Sequence, residues 1–247
     1  MRGTVGAICV LSLSWAGAAW ALDAYGVSAL QKITPRQAPD ATWSTRGVAL
    51  ESARNECEAF QAVVRSPQAI EGVSVSLSGL RGPQDSVILP ELARLYKVEW
   101  VDIAAPYEVD KPSIHPDLRP DPLVPVRPGE AFALKAGDNL VFWVALSVPE
   151  SAKPGSYSGQ VEISSKGQVL RALPVALRVR SFTLPGKPLL QSMIGFSEGN
   201  IYKAHGCKTP EDRERIIRLY FDEYRRARLS PFLYALGTMA FNPLPDG

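Results

Sequence analysis

Val73-Ser74-Val75-Ser76-Leu77-Ser78 alternates apolar and polar residues without a break. A period of two puts Val73, Val75 and Leu77 on one side of an extended chain and the serines on the other. That predicts a strand with one buried face. Gly79 and Gly82-Pro83 end it. The same rhythm continues in both directions. Residues 57–64 place Phe60, Ala62 and Val64 on one face, after a shorter extended run at 46–50. Residues 92–103 do the same with Tyr96, Val98 and Trp100. Residues 139–148 carry the unbroken apolar run of Leu140, Val141, Phe142, Trp143 and Val144, suited to a central strand. Residues 157–164 and 169–182 follow, with Val175, Leu177 and Val179 in alternation. Pro128-Gly129, Lys153-Pro154-Gly155 and Lys166-Gly167 supply the turns between them. Short strands at regular spacing predict a mostly β protein, with an antiparallel β-sandwich over residues 22–186.

Composition agrees. Of 247 residues, 21 are Pro and 19 Gly, too many helix breakers for an all-helical chain. Lys and Arg number 27 against 25 Asp and Glu, a net charge of +2, so the clustered basic footprint of a nucleic-acid binder is not expected. Met1-Arg2-Gly3-Thr4 is a short positive start, an apolar run follows from 5 to 20, and Ala19-Trp20-Ala21 has small residues at both cleavage positions. This is the pattern of a secretory signal peptide over 1–21, cut after Ala21, and it predicts a secreted or periplasmic protein with no membrane segment after cleavage. Cys9 leaves with the signal. Cys57 and Cys207 then either pair in an oxidising compartment or stay as two separate, mostly buried thiols. His115 and His205 are the only histidines, and no zinc-site spacing exists, so no metal and no cofactor are expected.

Two segments break the strand rhythm. Residues 104–128 contain Pro106, Pro112, Pro116, Pro120, Pro122, Pro125 and Pro128, which predicts a long ordered loop or a polyproline-like excursion, since proline cannot donate to a ladder. Tyr107, Ile114, Leu118, Leu123 and Val124 within it call for a surface to pack on. Asp117, Arg119 and Asp121 read best as an ion pair that locks this loop, with the rim of a cleft as the second option. From residue 187 the period changes. Residues 189–196 read as a buried strand, and Thr209-Pro210-Glu211-Asp212 is a helix start with Thr as N-cap, Pro at N1 and acids in the first turn. Ile216, Ile217, Tyr220, Tyr224 and Ala227 make its apolar stripe, Arg225, Arg226 and Arg228 oppose the dipole at its end, and Ser230-Pro231 stops it. Residues 232–236 read as a second strand. Strand–helix–strand is a β-α-β unit, and residues 187–247 are expected to be the start of a truncated (β/α)8 barrel.

In such a barrel the loop after the first strand lies on the catalytic face. Glu198, Asn200, Tyr202 and His205 sit in that stretch and are the candidate substrate-binding residues, although an ordinary solvated loop is the commoner fate of such acids. Asp222-Glu223 reads as a pair of solvent-facing helix charges. Trp100 and Trp143 fall inside strand patterns and are expected in the core; Trp43 is open to either reading.

Several segments together resemble glycoside hydrolase family 123 and the related domain of unknown function 4091. Ala53-Arg54-Asn55-Glu56-Cys57-Glu58-Ala59-Phe60-Gln61 is similar to their A-x-x-E-x-E-x-F-Q stretch. Arg119-Pro120-Asp121-Pro122-Leu123-Val124-Pro125 is similar to their Y-P-D-x-L-x-P segment, with Arg119 in place of the aromatic. Val148-Pro149, Ala152, Pro154-Gly155, Tyr157 and Gly159 resemble V-P-x-x-A-x-P-G-x-Y-x-G, and Phe182-Thr183-Leu184-Pro185 resembles the closing strand of the N-terminal domain. The resemblance implies a β-sandwich before a (β/α)8 barrel, and a secreted hydrolase of glycans with N-acetylhexosamine residues. It implies substrate-assisted chemistry, with an Asp-Glu-Pro pair on the barrel. No Asp-Glu-Pro occurs here, and Asp222-Glu223 is followed by Tyr224, so no catalytic residue is expected within the chain. A non-catalytic carbohydrate- or partner-binding sandwich of the cell envelope is the alternative.

Overall fold

In the computed structural model, residues 22–102, 118–187, 190 and 192–233 are described. The predicted signal peptide, the proline-rich stretch before residue 118 and the last residues of the predicted second barrel strand lie outside them. The elements run β1 (Asp23–Ser28), β2 (Val48–Arg54), β3 (Glu56–Arg65), β4 (Ile70–Leu77), β5 (Leu80–Arg81), β6 (Val87–Ile88), β7 (Ala93–Asp102), β8 (Leu118–Pro125), β9 (Phe132–Leu134), β10 (Asn139–Val148), β11 (Gly155–Ser165), β12 (Gln168–Thr183), β13 (Ile194–Phe196), α1 (Glu198–Ala204), α2 (Pro210–Arg226) and β14 (Pro231–Leu233). The chain divides into two compact units between Thr183 and Leu184.

The first unit is mostly β and has two sheets. One runs β1-β3-β10-β7-β8; the other runs β2-β12-β11-β4-β9, with β5 and β6 attached beside β11. The alternating stretch that predicts a strand lies in β4, with Val73, Val75 and Leu77 buried. Phe60, Ala62 and Val64 of β3 and Leu140, Phe142, Val144 and Leu146 of β10 meet Val161, Ile163, Leu173, Val175 and Leu177 of the other sheet in one apolar core. Burying these side chains is the main force holding the sheets together, at about 1.5–3 kcal/mol for each fully buried large residue.

The expectation of a wholly antiparallel sandwich needs correction. Strand β2 pairs with β12 in parallel, Val48 opposite Val175 and Leu50 opposite Leu177. Alternation tells which face a side chain takes, not which way the neighbouring strand runs. The proline-rich loop is also corrected in part. Residues 118–125 form strand β8, antiparallel to β7, with Pro120 opposite Trp100 and Pro125 opposite Tyr96. Strand β8 ends its sheet, and an edge strand tolerates proline because one row of its backbone groups needs no ladder partner. Leu118, Leu123 and Val124 are exposed there rather than packed.

The motifs behind the family resemblance have structural roles. Asn55, at φ 61, turns β2 into β3, and Glu56 accepts the Ala53 amide at 2.6 Å across that turn. Tyr157 is buried; its hydroxyl donates to the Lys153 carbonyl at 2.9 Å and accepts from Ser86 Oγ at 3.0 Å. Gly155 stands at φ 139, where a Cβ would meet Pro83 Cγ at 2.5 Å, so only glycine fits.

The outer face of the β1–β8 sheet carries a strap, residues 29–47. Ile33 and Trp43 of the strap close a second apolar cluster over Val27, Val63, Val98 and Val141. Three side chains clamp it. Gln61 Nε2 donates to the Ser28 and Gln31 carbonyls, both at 2.8 Å. Asn139 Nδ2 donates to Thr34 at 3.0 Å and Gln37 at 2.9 Å. Trp100 Nε1 donates to Ile33 at 2.8 Å. Trp43 is thus a core residue, with its Nε1 buried and unpartnered among the described residues.

The second unit pairs β13 with β14 in parallel, Ile194 opposite Pro231 and Phe196 opposite Leu233, with α1 and α2 between them in sequence. The predicted buried strand over 189–196 is shorter, Ile194–Phe196, and Ile194 is exposed. Helix α2 begins as expected: Thr209 and Asp212 form a reciprocal capping box and Pro210 opens the helix. Its stripe is less buried than predicted, with only Ile216 fully buried and Ala227 exposed. Pro231 does more than stop the helix; it opens β14.

Candidate functional site

The four candidate residues do not lie in an irregular loop. Ser197 caps a short helix, its Oγ accepting the Asn200 amide at 3.4 Å, and Glu198, Asn200 and Tyr202 lie on that helix, α1. His205 is its C-cap. Gly199 and Asn200 are weak helix formers, which hid the helix from a propensity reading; the serine cap was its legible sign.

The helix brings two of the four together. Glu198 and Tyr202 stand one turn apart on α1 and interact electrostatically, and the Arg213 guanidinium from α2 lies 5.3 Å from the Tyr202 ring centroid. Burial, then the Glu198 charge, raises the Tyr202 phenol above its ordinary value, while Arg213 opposes the rise. His205 turns elsewhere: its Nε2 lies 3.0 Å from the Tyr220 hydroxyl, with the rings edge to face. Asn200 is exposed. A phenol, a carboxylate and a guanidinium in one cluster offer hydroxyl-binding groups, while the His205–Tyr220 pair ties α1 to α2.

Asp222 and Glu223 are exposed and ion-paired along α2, Asp222 with Arg225 at 3.0 Å and Glu223 with Arg226. The adjacent-carboxylate reading as solvated helix charges therefore stands. Cys57 and Cys207 are free thiols, and Cys57 is exposed rather than buried. Among the described residues no group of three His, Cys, Asp or Glu is placed to hold a metal ion.

A second site went unnoticed in the sequence. On the outer face of the first unit, between the strap and edge strand β8, lies a cleft of about 190 Å³. Gln31, Lys32, Gln61, Asp121, Leu123 and Trp143 are among its lining residues. Gln61 and Trp143 are direct cross-strand partners and so share one face of the sheet. Trp143 is half-buried, part of it reaching the cleft, where its position in a central strand predicts core alone. Asp121 is exposed and lines this cleft; Asp117 lies outside the described residues.

These features define a mixed-sheet β-sandwich whose buried polar side chains brace a strap, followed by a parallel β-α-β unit. Residues 35–165 match the model of the glycoside hydrolase 123 N-terminal domain, and the chain belongs to that family. A family 123 glycoside hydrolase from Clostridium perfringens, solved for the details of glycolipid glycan hydrolysis, superposes at a TM-score of 0.59 with 16% identity. The match covers 73% of this chain and 32% of that one, so the chain spans about a third of its relative. AvmM, which catalyses macrocyclization in alchivemycin A biosynthesis, gives a TM-score of 0.37 at 10% identity, covering 69% and 93%. A β-glucosidase from Listeria innocua gives 0.27 at 14% identity, covering 66% and 16%. No curated protein matches the chain.

Proposed function

We propose that this chain is the N-terminal part of an exported glycoside hydrolase that removes β-linked N-acetylhexosamine residues by substrate-assisted hydrolysis. The observation that carries the reading is the family match over residues 35–165. The sandwich shared with the C. perfringens hydrolase supports it. In this reading β13-α1-α2-β14 is the first quarter of a (β/α)8 barrel, because its neighbouring strands run parallel with helices between them. Ser197 and Glu198 then sit just past the C-terminal end of the first barrel strand, on the face where such enzymes work.

The substrate's own acetamido oxygen attacks the anomeric carbon, one carboxyl orients the acetamide and its neighbour protonates the leaving oxygen. Such enzymes depart from the two-carboxylate scheme of most glycosidases. Asp222 and Glu223 are tied to Arg225 and Arg226 on an exposed helix face and do not serve as this pair. The pair belongs to the part of the protein that this chain does not span. Export follows from residues 1–21. A start at Leu22 suits the fold, since Leu22 is buried and its carbonyl accepts from Arg171 Nε at 2.6 Å. Among the described residues no helix is long and apolar enough to cross a membrane.

The test is hydrolysis of an aryl N-acetyl-β-galactosaminide. The 247-residue chain is expected to be inactive, and the same chain continued through an Asp-Glu-Pro barrel active. Turnover by the 247-residue chain, or none by the continued one, overturns the reading. The non-catalytic module is favoured by one observation, the Trp143 surface in the outer cleft.

A further inference from the structure

The cleft on the outer face of the sandwich is a rigid floor with unspent charges at its sides. Trp143 lies on β10, the middle strand of its sheet, between β3 and β7. Its row neighbour Gln61 is only 2% exposed and is fixed by its bonds to Ser28, at the end of β1, and to Gln31 of the strap. Trp143 itself packs against the second apolar cluster, and an indole held this way on a central strand is a preorganised surface. Lys32 projects from the strap and Asp121 from β8, both exposed. Among the described residues neither has an ion-pair partner, although both line the same cleft. Leu123 adds an apolar wall.

We propose that this cleft binds a single pyranose ring of a neutral glycan. The volume, about 190 Å³, is below the ~300 Å³ at which pockets for drug-sized ligands begin, and so suits one ring rather than a chain of them. A pyranose has one face of C–H groups and an equator of hydroxyls. The indole offers an apolar face to the first. A carboxylate accepts from two neighbouring hydroxyls, and an ammonium donates to a third oxygen. Charges of both signs disfavour a ligand with one net charge. The choice of a sugar rests on the glycan reading above; the site itself lies on the sandwich and takes no part in bond cleavage. It would hold a distant residue of the glycan while the barrel works on its end.

The experiment is a nuclear magnetic resonance titration of the whole 247-residue chain with methyl N-acetyl-β-galactosaminide and methyl β-glucopyranoside. The Trp143 indole N–H signal, assigned by its loss in Trp143→Phe, is expected to shift saturably. Asp121→Ala and Lys32→Ala are exposed substitutions that leave the fold intact, and each is expected to weaken binding about tenfold. No saturable shift with either sugar, or a shift that both substitutions leave unchanged, overturns the proposal. So does a shift produced by free glycine, a zwitterion, and by neither sugar. These outcomes are separate from the hydrolysis assay: absence of binding removes the subsite alone, and turnover by this chain removes the proposed division of labour alone.

Discussion

Asn139 holds more of the outer face than its size suggests. It is buried, donates to two strap carbonyls and accepts from Arg65 Nη1 at 3.1 Å. Removing the carboxamide takes a donor from two part-buried carbonyls and an acceptor from Arg65, which keeps its 3.4 Å bond to the Gln37 carbonyl, and a buried group left unpaired costs about 1–3 kcal/mol. Asn139→Ala is expected to lower the unfolding free energy by about 2–3 kcal/mol, measured by urea denaturation; a loss under about 0.5 kcal/mol would show that the strap does not depend on it. None of this was legible in the sequence, because the bonds run from Asn139 to carbonyls 105 and 102 residues earlier. The motif residues tell the complementary story. Glu56, Phe60, Gln61 and Tyr157 stood out by resemblance, and each serves the scaffold. Glu56 fixes a turn, Phe60 fills the core, Gln61 holds the strap and Tyr157 makes a hydroxyl bridge. What the sequence displayed most clearly was therefore the scaffold, and the cleft stayed hidden because Trp143 lies in a run that reads as pure core.

Among the elements, legibility followed local chemistry. Strand β4 and helix α2 were readable because alternation and a cap are properties of neighbours in the chain. Strand β8 was misread because whether proline is tolerated depends on its place at the sheet edge. Helix α2 also has a pH signature. The backbone amides of Thr209 and then Lys208 hold the Asp212 carboxyl below its ordinary value of 3.8. A carboxyl depressed in the folded state stabilises above its unfolded value, and the gain is lost as the pH falls through the folded one. Far-ultraviolet circular dichroism should show α2 losing helix below pH 3.8, and Asp212→Asn should have less helix at neutral pH and a flatter acid limb. Identical curves for the two proteins would remove the capping box from the helix's stability.

At the scale of the molecule, the two units differ in how much core their described residues bury. The sandwich buries a large shared core, whereas among the described residues the second unit has one sheet, of the short strands β13 and β14. Two-stranded sheets are marginal on their own. Leu190, Met193, Leu219 and Phe221 are exposed in the second unit. Limited proteolysis with a broad-specificity enzyme is expected to remove the second unit first, leaving a resistant product that ends near Gly186. A resistant product reaching past β14 would contradict this. The order of a β-rich unit followed by a strand–helix–strand unit was readable from the change in hydrophobic period. The parallel partnership of β2 and β12 was not, because periodicity carries no information about partners far along the chain.

That partnership sets a clock. Arg54 at the end of β2 donates to the Ser181 carbonyl, 127 residues on, and the whole of β2 rests against a strand that is among the last parts of the sandwich to be synthesised. An early strand whose neighbour arrives so late has to wait, and closing so long a loop precedes any reward from the contacts it permits. Folding of the sandwich cannot finish on a nascent chain until residue 183 has emerged. Until then the unpaired side of β12's place in the sheet is open, and a chain held in that state stays pliable.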